Sequence, residues 1–216
     1  MLSIFTGFAA GGLHVFSGVD HLAALAPVAV ADPQRAGRTG MVWGLGHGIG
    51  VVLVGLLGLL LRGVISLESW SAWAELIVGF LIVGIGVWAI IRSRTLEIHQ
   101  HEHDHDGGDG HEHLHAHEHA DRRHNHAALG VGVFHGIAGG GHLFGVLPAL
   151  ALPTYEAILY LASYLVASVV AMGAFGFSIG TLARRSGEVW ITRLMLASGV
   201  VAIVVGLMWI SASWPE

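Results

Sequence analysis

Cysteine is absent from this 216-residue chain. That excludes disulfides, thiolate metal sites and any dithiol redox motif. Lysine is absent too: all ten basic residues are arginines, scattered so that none forms a patch suited to nucleic acid. No GxxxxGK[ST] pattern occurs, so nothing argues for a nucleotide-driven machine. HExxH occurs only in the histidine-rich loop, as HEHDH at 101–105 and HEHLH at 111–115, and in none of the apolar runs, which ranks an intramembrane metallohydrolase last among the metal-dependent readings. Charged residues make up only 12% of the chain against 54% apolar ones, and the mean hydropathy is +0.68. Several apolar runs reach the twenty or so residues that cross a hydrocarbon core, so a single water-surrounded core is excluded. The expectation is a polytopic membrane protein.

Six spans are predicted, at about 2–31, 40–62, 72–92, 127–152, 156–183 and 190–213. Asp32-Pro33 closes the first and Pro153 the fourth. The amino terminus, MLSIFTGFAAGG, lacks a basic n-region, and its apolar run continues into the first helix, so it reads as part of that helix. Arg35 and Arg38 follow the first span, Arg92, Arg94, Arg122 and Arg123 flank the third loop, and Arg184, Arg185 and Arg193 surround the fifth. The second loop has Arg62 set against Glu68, and the fourth has none. Positive residues favour the cytoplasmic side, which puts both termini outside and loops one, three and five inside.

The stretch GLHVFSGVDHLAALAP, Gly12 to Pro27, carries His14, Asp20 and His21 inside the first apolar run. Ionisable groups at bilayer depth are costly and mark function by default. Imidazole and carboxylate without thiol suit a borderline divalent ion such as nickel, cobalt or zinc. The pattern returns. A shift of 121 residues lays Leu13-His14 on Phe134-His135, Gly18 on Gly139, His21-Leu22 on His142-Leu143 and Pro27 on Pro148, and it pairs Trp43 with Tyr164 and His47 with Ser168. A shift of 120 then pairs Gly79 and Gly86 with Gly199 and Gly206. Three spans per half make the second copy enter the membrane from the opposite side, as in the inverted repeats of secondary transporters. The expected fold is all-α, with repeats at 1–92 and 127–216 joined by a polar loop at 93–126.

His14 and His21 share a helix face but lie about 10.5 Å apart along an unbroken axis, so one ion holds both only if the helix opens between them. Ser17-Gly18, and Gly139-Gly140-Gly141 in the fourth span, are where opening is easiest. Helices one and four are therefore expected to be discontinuous and to face each other; the alternative is two separate stations along a path, one per histidine. His47, in GLGHGIG, is a lone intramembrane histidine. It fits either a hydrogen bond to a neighbouring helix or a ligand role, and the rarity of polar groups at that depth favours the ligand. Glu75, beside Trp70 and Trp73, reads as part of an interfacial belt.

The remaining eleven of sixteen histidines lie in HQHEHDHDGGDGHEHLHAHEHADRRHNH: His99, His101, His103, His105, His111, His113, His115, His117, His119, His124 and His126. Alternation with Glu and Asp around a Gly-rich middle buries nothing, so the loop is expected to be disordered without metal and to bind divalent ions in many geometries.

On these residues the chain resembles the nickel/cobalt transporter superfamily, most closely its six-helix branch of proteins like the urease accessory protein UreH. The His…Asp-His signature appears as His14…Asp20-His21, the Leu-Gly-His signature as Leu45-Gly46-His47, and HGIAGGGHLFGVLPALALP, from His135, looks like the branch's fourth-helix motif. The superfamily's permeases place four residues between the first His and the Asp, where this chain has five, VFSGV. The eight-helix permeases also have spans that this chain lacks. The resemblance implies transport of Ni²⁺ or Co²⁺, with Zn²⁺ as a further cargo, across a bacterial inner membrane, without enzymatic activity or a resident cofactor. The metal ligands are expected to be His14, Asp20, His21, His47, His135 and His142. It also implies a soluble nickel acceptor, such as a urease or hydrogenase maturation protein, as partner. Uptake is favoured over efflux. Two rivals from other classes are a bis-histidine membrane cytochrome and a metal sensor without transport.

Overall fold

A computed structural model describes residues 1–60, 67–95, 121–138 and 148–214. Every regular element among them is helical. In chain order they are α1 (Leu2–Ser17), α2 (Val19–Ala31), α3 (Ala36–Leu60), α4 (Leu67–Thr95), α5 (Asp121–Ala138), α6 (Thr154–Arg185) and α7 (Gly187–Ala212). Residues 148–151 are helical as well. Pro153 then stands at the N-cap of α6, where its missing N–H removes nothing from the helix.

Three helices are long and apolar enough to cross a membrane, at Glu75–Arg94, Thr154–Arg185 and Val189–Ala212. A fourth qualifies if α1 and α2 are taken as one span bent by 69°. The six spans read from the sequence are thus not all reproduced among the described residues. The apolar part of α5 there, His126–Ile137, is shorter than a span, and 139–147 lie outside the described residues. Large side chains such as Phe5, Phe16, Phe80, Phe177 and Met208 face outward, as expected where the surroundings are as apolar as the interior.

Without a strong hydrophobic drive between helices, close backbone approach decides the packing, and glycine permits it. The contacts fall into a pattern. A Cβ on Gly11 would meet the Tyr164 carbonyl of α6 at 2.5 Å, and one on Gly132 would collide with the Trp43 carbonyl of α3. In α4 and α7, Gly79 lies against Gly206 and Gly86 against Gly199. The 121-residue shift carries the first contact onto the second, and the 120-residue shift exchanges the last two. Replacing Gly86 with alanine drives a Cβ to 2.6 Å from the Gly199 carbonyl, whereas Gly84 has open space. Thermal unfolding in detergent should therefore show Gly86→Ala destabilised by about 1–3 kcal/mol and Gly84→Ala unchanged within about 0.5 kcal/mol.

The same contacts locate the charged end. α6 ends against the turn before α3: Gly180 abuts Pro33, and Arg184 Nη1 donates to the Pro33 carbonyl at 2.6 Å. Val30, Ala89 and Met195 cluster there with Ile179 and Ile191, bringing together the end of α2, the end of α4 and the start of α7. Arg35, Arg38, Arg92, Arg94, Arg184, Arg185 and Arg193 consequently share one end of the bundle. α5 runs parallel to α3, with Gly132 against Trp43 and Gly136 against His47, so it also starts at this end.

Candidate metal centre

The site is built at the junction of α1 and α2. The Gly18 N–H donates to the His14 carbonyl at 2.9 Å, closing α1, and the His21 N–H donates to the Gly18 carbonyl at 3.1 Å, opening α2. Gly18 itself is extended, with φ −76° and ψ 94°. These angles are open to any residue, so glycine is needed here for space. A Cβ would lie 2.8 Å from His21 Cδ2 and 2.9 Å from Asp20 Oδ1.

The 69° bend carries the two histidines together. His14 Nε2 and His21 Nε2 are 2.9 Å apart, against roughly 10.5 Å of axial rise in a straight helix. The expected opening of the first span is found where Ser17-Gly18 indicated it. For the fourth span, α5 is described as far as Ala138, and the glycines 139–141 lie outside the described residues, as does His142.

Three further side chains converge. Asp20, in the first turn of α2 where a helix N-terminus favours negative charge, places Oδ2 at 3.1 Å from His21 Nδ1 and 2.9 Å from His135 Nε2. His135 Nε2 also contacts His21 Nδ1 directly. The His47 ring, eleven residues into α3, lies 4.7 Å from the His21 ring and stacks on His14 at 5.5 Å between centroids. Asp20, His21, His47 and His135 are buried and His14 is partly so. Ligand-type atoms of His14, His21 and His47 lie within 4.8 Å of one another, and so do those of Asp20, His21 and His135.

Five of the six intramembrane residues expected as ligands therefore meet in one cluster. Helices one and four do not pack along each other among the described residues: α1 packs along α6 and α5 along α3, and the two spans touch through His21 and His135. His99, His101, His103, His105, His111, His113, His115, His117 and His119 lie outside the described residues. His124 and His126 fall within α5, and His126 is exposed at its near end; the helix starts before the expected boundary at 127. Glu75 accepts a hydrogen bond from Ser213 Oγ at 2.9 Å, near exposed Trp73 and Trp214, in keeping with a belt position.

Sequence reasoning did not single out Tyr164 or Trp43 as neighbours of the site. The fully buried Tyr164 ring lies 5.9 Å from His14, and Trp43 precedes His47 by one turn of α3. The Tyr164 hydroxyl and Trp43 Nε1 have no hydrogen-bond partner among the described residues. The 121-residue shift that pairs these two positions was the available signal.

The sequence matches no family model, and no solved structure matches it. It is 36% identical over 213 residues to the chloroplast protein FOR GROWTH AND FERTILITY 1 of Arabidopsis thaliana, covering 96% of this chain and 58% of that protein. With FOR GROWTH AND FERTILITY 2 of the same plant it shares 34% identity over 96% of this chain and 55% of the relative. The chain thus spans little more than half the length of these two curated relatives. It is also 27% identical to the urease accessory protein UreH of Bacillus sp. (strain TB-90), over 96% of this chain and 90% of that one. Together with the helices fit to cross a bilayer, these likenesses describe a membrane protein, helical throughout its described regular elements and distantly similar to UreH.

Proposed function

We propose that the chain is a six-span carrier of nickel or cobalt ions in a bacterial inner membrane, made of two inverted three-helix repeats and working in uptake by alternating access. The observation that carries this reading is the meeting of His14 and His21 at 2.9 Å across the Gly18 break, which makes a cation site of neutral imidazoles and one carboxylate at the middle of an apolar chain. Interrupted helices near the midplane are where secondary transporters bind their cargo. The repeat is supported by the paired glycine contacts, Gly11–Tyr164 with Gly132–Trp43 and Gly79–Gly206 with Gly86–Gly199. The shared arginine end supports a cytoplasmic side that also holds the start of α5, and hence the histidine-rich segment, with both termini outside. The choice of nickel or cobalt rests on the family resemblance, to which the likeness to UreH adds. Efflux is the alternative direction.

Imidazole binds metal only when neutral, so protons compete with the cargo, and transport should fall as pH drops below about 6. A haem between the histidines is disfavoured by the same geometry: 2.9 Å between His14 Nε2 and His21 Nε2 leaves no room for a porphyrin plane. The test is ⁶³Ni²⁺ flux into proteoliposomes of known orientation. Wild type should carry the ion, His14→Ala should abolish the flux, and deletion of 99–126 should only modulate it. Tight binding without flux in any form would replace the carrier with a sensor.

A further inference from the structure

The five converging ligands do not form one coordination sphere, because His21 divides them. An imidazole's two ring nitrogens direct their lone pairs away from each other, so a single ion takes one and never both. His21 Nε2 faces His14 Nε2 at 2.9 Å, and ligand atoms of these two residues lie within 4.8 Å of one on His47. His21 Nδ1 faces Asp20 Oδ2 at 3.1 Å and the His135 Nε2 that is itself 2.9 Å from the same oxygen. No residue except His21 belongs to both triads. Three of these separations, 2.9–3.1 Å, match the edge of a coordination polyhedron, which is about 3 Å when metal–ligand bonds are about 2.1 Å; the fourth, His21 Nδ1 to His135 Nε2, is shorter at 2.5 Å.

Resting on the carrier reading, we infer that the bundle holds two cation stations on opposite sides of the His21 ring. One is formed by His14, His47 and His21 Nε2, the other by Asp20, His135 and His21 Nδ1. The shared ring makes His21 the residue through which an ion passes from one station to the other. The carboxylate belongs to the second station alone, and two divalent ions repel four times as strongly as two unit charges at the same separation, so the stations fill in turn. The first station draws on α1, α2 and α3, and the second on α2 and α5. The first station therefore lies wholly on the first repeat, and the second joins that repeat to the other through His135, so that movement of one repeat against the other alters the second station and leaves the first intact.

The test counts bound ⁶³Ni²⁺ by equilibrium dialysis of the full-length protein in detergent, alongside proteoliposome flux, for wild type, His47→Ala, His135→Ala and the double variant. The histidine-rich segment binds equally in all four and cancels in the differences. Each single variant should keep the wild-type count, because the other station takes the ion. The double variant should bind one ion fewer, and flux should fall at least tenfold in all three. Single variants short by one ion and a double variant short by two also establish two stations, filled together. Single variants short by one ion with a double variant no worse would mean one shared sphere, overturning the two-station inference while leaving the carrier reading intact. Equal counts in all four proteins would overturn both. His47→Gln and His135→Gln, with unchanged elution volume, separate loss of a ligand from loss of the fold.

Discussion

Gly18→Ala is expected to weaken Ni²⁺ binding by the helix bundle at least tenfold while the protein stays folded. The backbone angles at Gly18, φ −76° and ψ 94°, are ones alanine adopts without strain. The added methyl, however, falls 2.8 Å from His21 Cδ2 and 3.0 Å from His21 Nε2, with Asp20 Oδ1 at 2.9 Å on its other side. His21 is a fully buried ring held between His14, His47 and His135, so it cannot yield by a few tenths of an ångström without losing the approach of its nitrogens to one partner set. A misplacement of that size is what a coordination site tolerates least. Gly12→Ala is the control, since a Cβ there meets nothing within 4 Å. The measurement is nickel affinity in a protein lacking residues 99–120, which leaves α5 whole, with the thermal midpoint recorded beside it. Gly18→Ala binding as tightly as wild type would show that the break does not position His21.

Asp20→Asn is expected to lower nickel flux at least about 100-fold, since changes merely beside a metal ligand already reach that range, and Glu75→Gln less than about twofold. Asp20 is the one carboxylate in the described cluster, and its Oδ2 stands within 3.1 Å of nitrogens from two other helical positions, His21 and His135. The amide keeps the shape and removes the negative charge that a divalent cation needs when it leaves water. It also turns an acceptor that faces two imidazoles into a group that is half donor. Glu75 lies on α4, which contributes none of the converging ligands, and engages Ser213 at 2.9 Å. Initial rates of ⁶³Ni²⁺ uptake into proteoliposomes at matched protein density check the contrast. Equal rates for Asp20→Asn and wild type would remove the charge role assigned to Asp20.

Much of this was legible in the amino-acid order. Intramembrane histidines and an aspartate announce themselves because nothing else in an apolar run compensates their cost. The seven-residue spacing of His14 and His21 required a break if one ion was to touch both, and Ser17-Gly18 was the place for it. The repeat could be read from ungapped matches, and the helix ends mostly from proline, aspartate and arginine. The boundary at α5 was missed because its first turn, Asp121 to His126, is polar and continues the composition of the histidine-rich stretch while already being helical.

What the sequence by itself determined is the inventory: which candidate ligands exist, that two of them can share an ion only across an interrupted helix, and that the residue pattern recurs after 121 positions. What only the tertiary structure decided is how the inventory is divided. Glycine at position 18 proved necessary for room beside His21, not for a special backbone angle, and that depends on where Asp20 and His21 turn after the bend. His47 joins His14 because α3 brings its ring alongside, and His135 reaches the other edge of His21 because α5 packs on α3 through Gly132 and Gly136. Spacing along a chain states which side chains share a face. The direction of each imidazole nitrogen is set by neighbours from distant parts of the sequence, and on that direction the chemistry of the site depends.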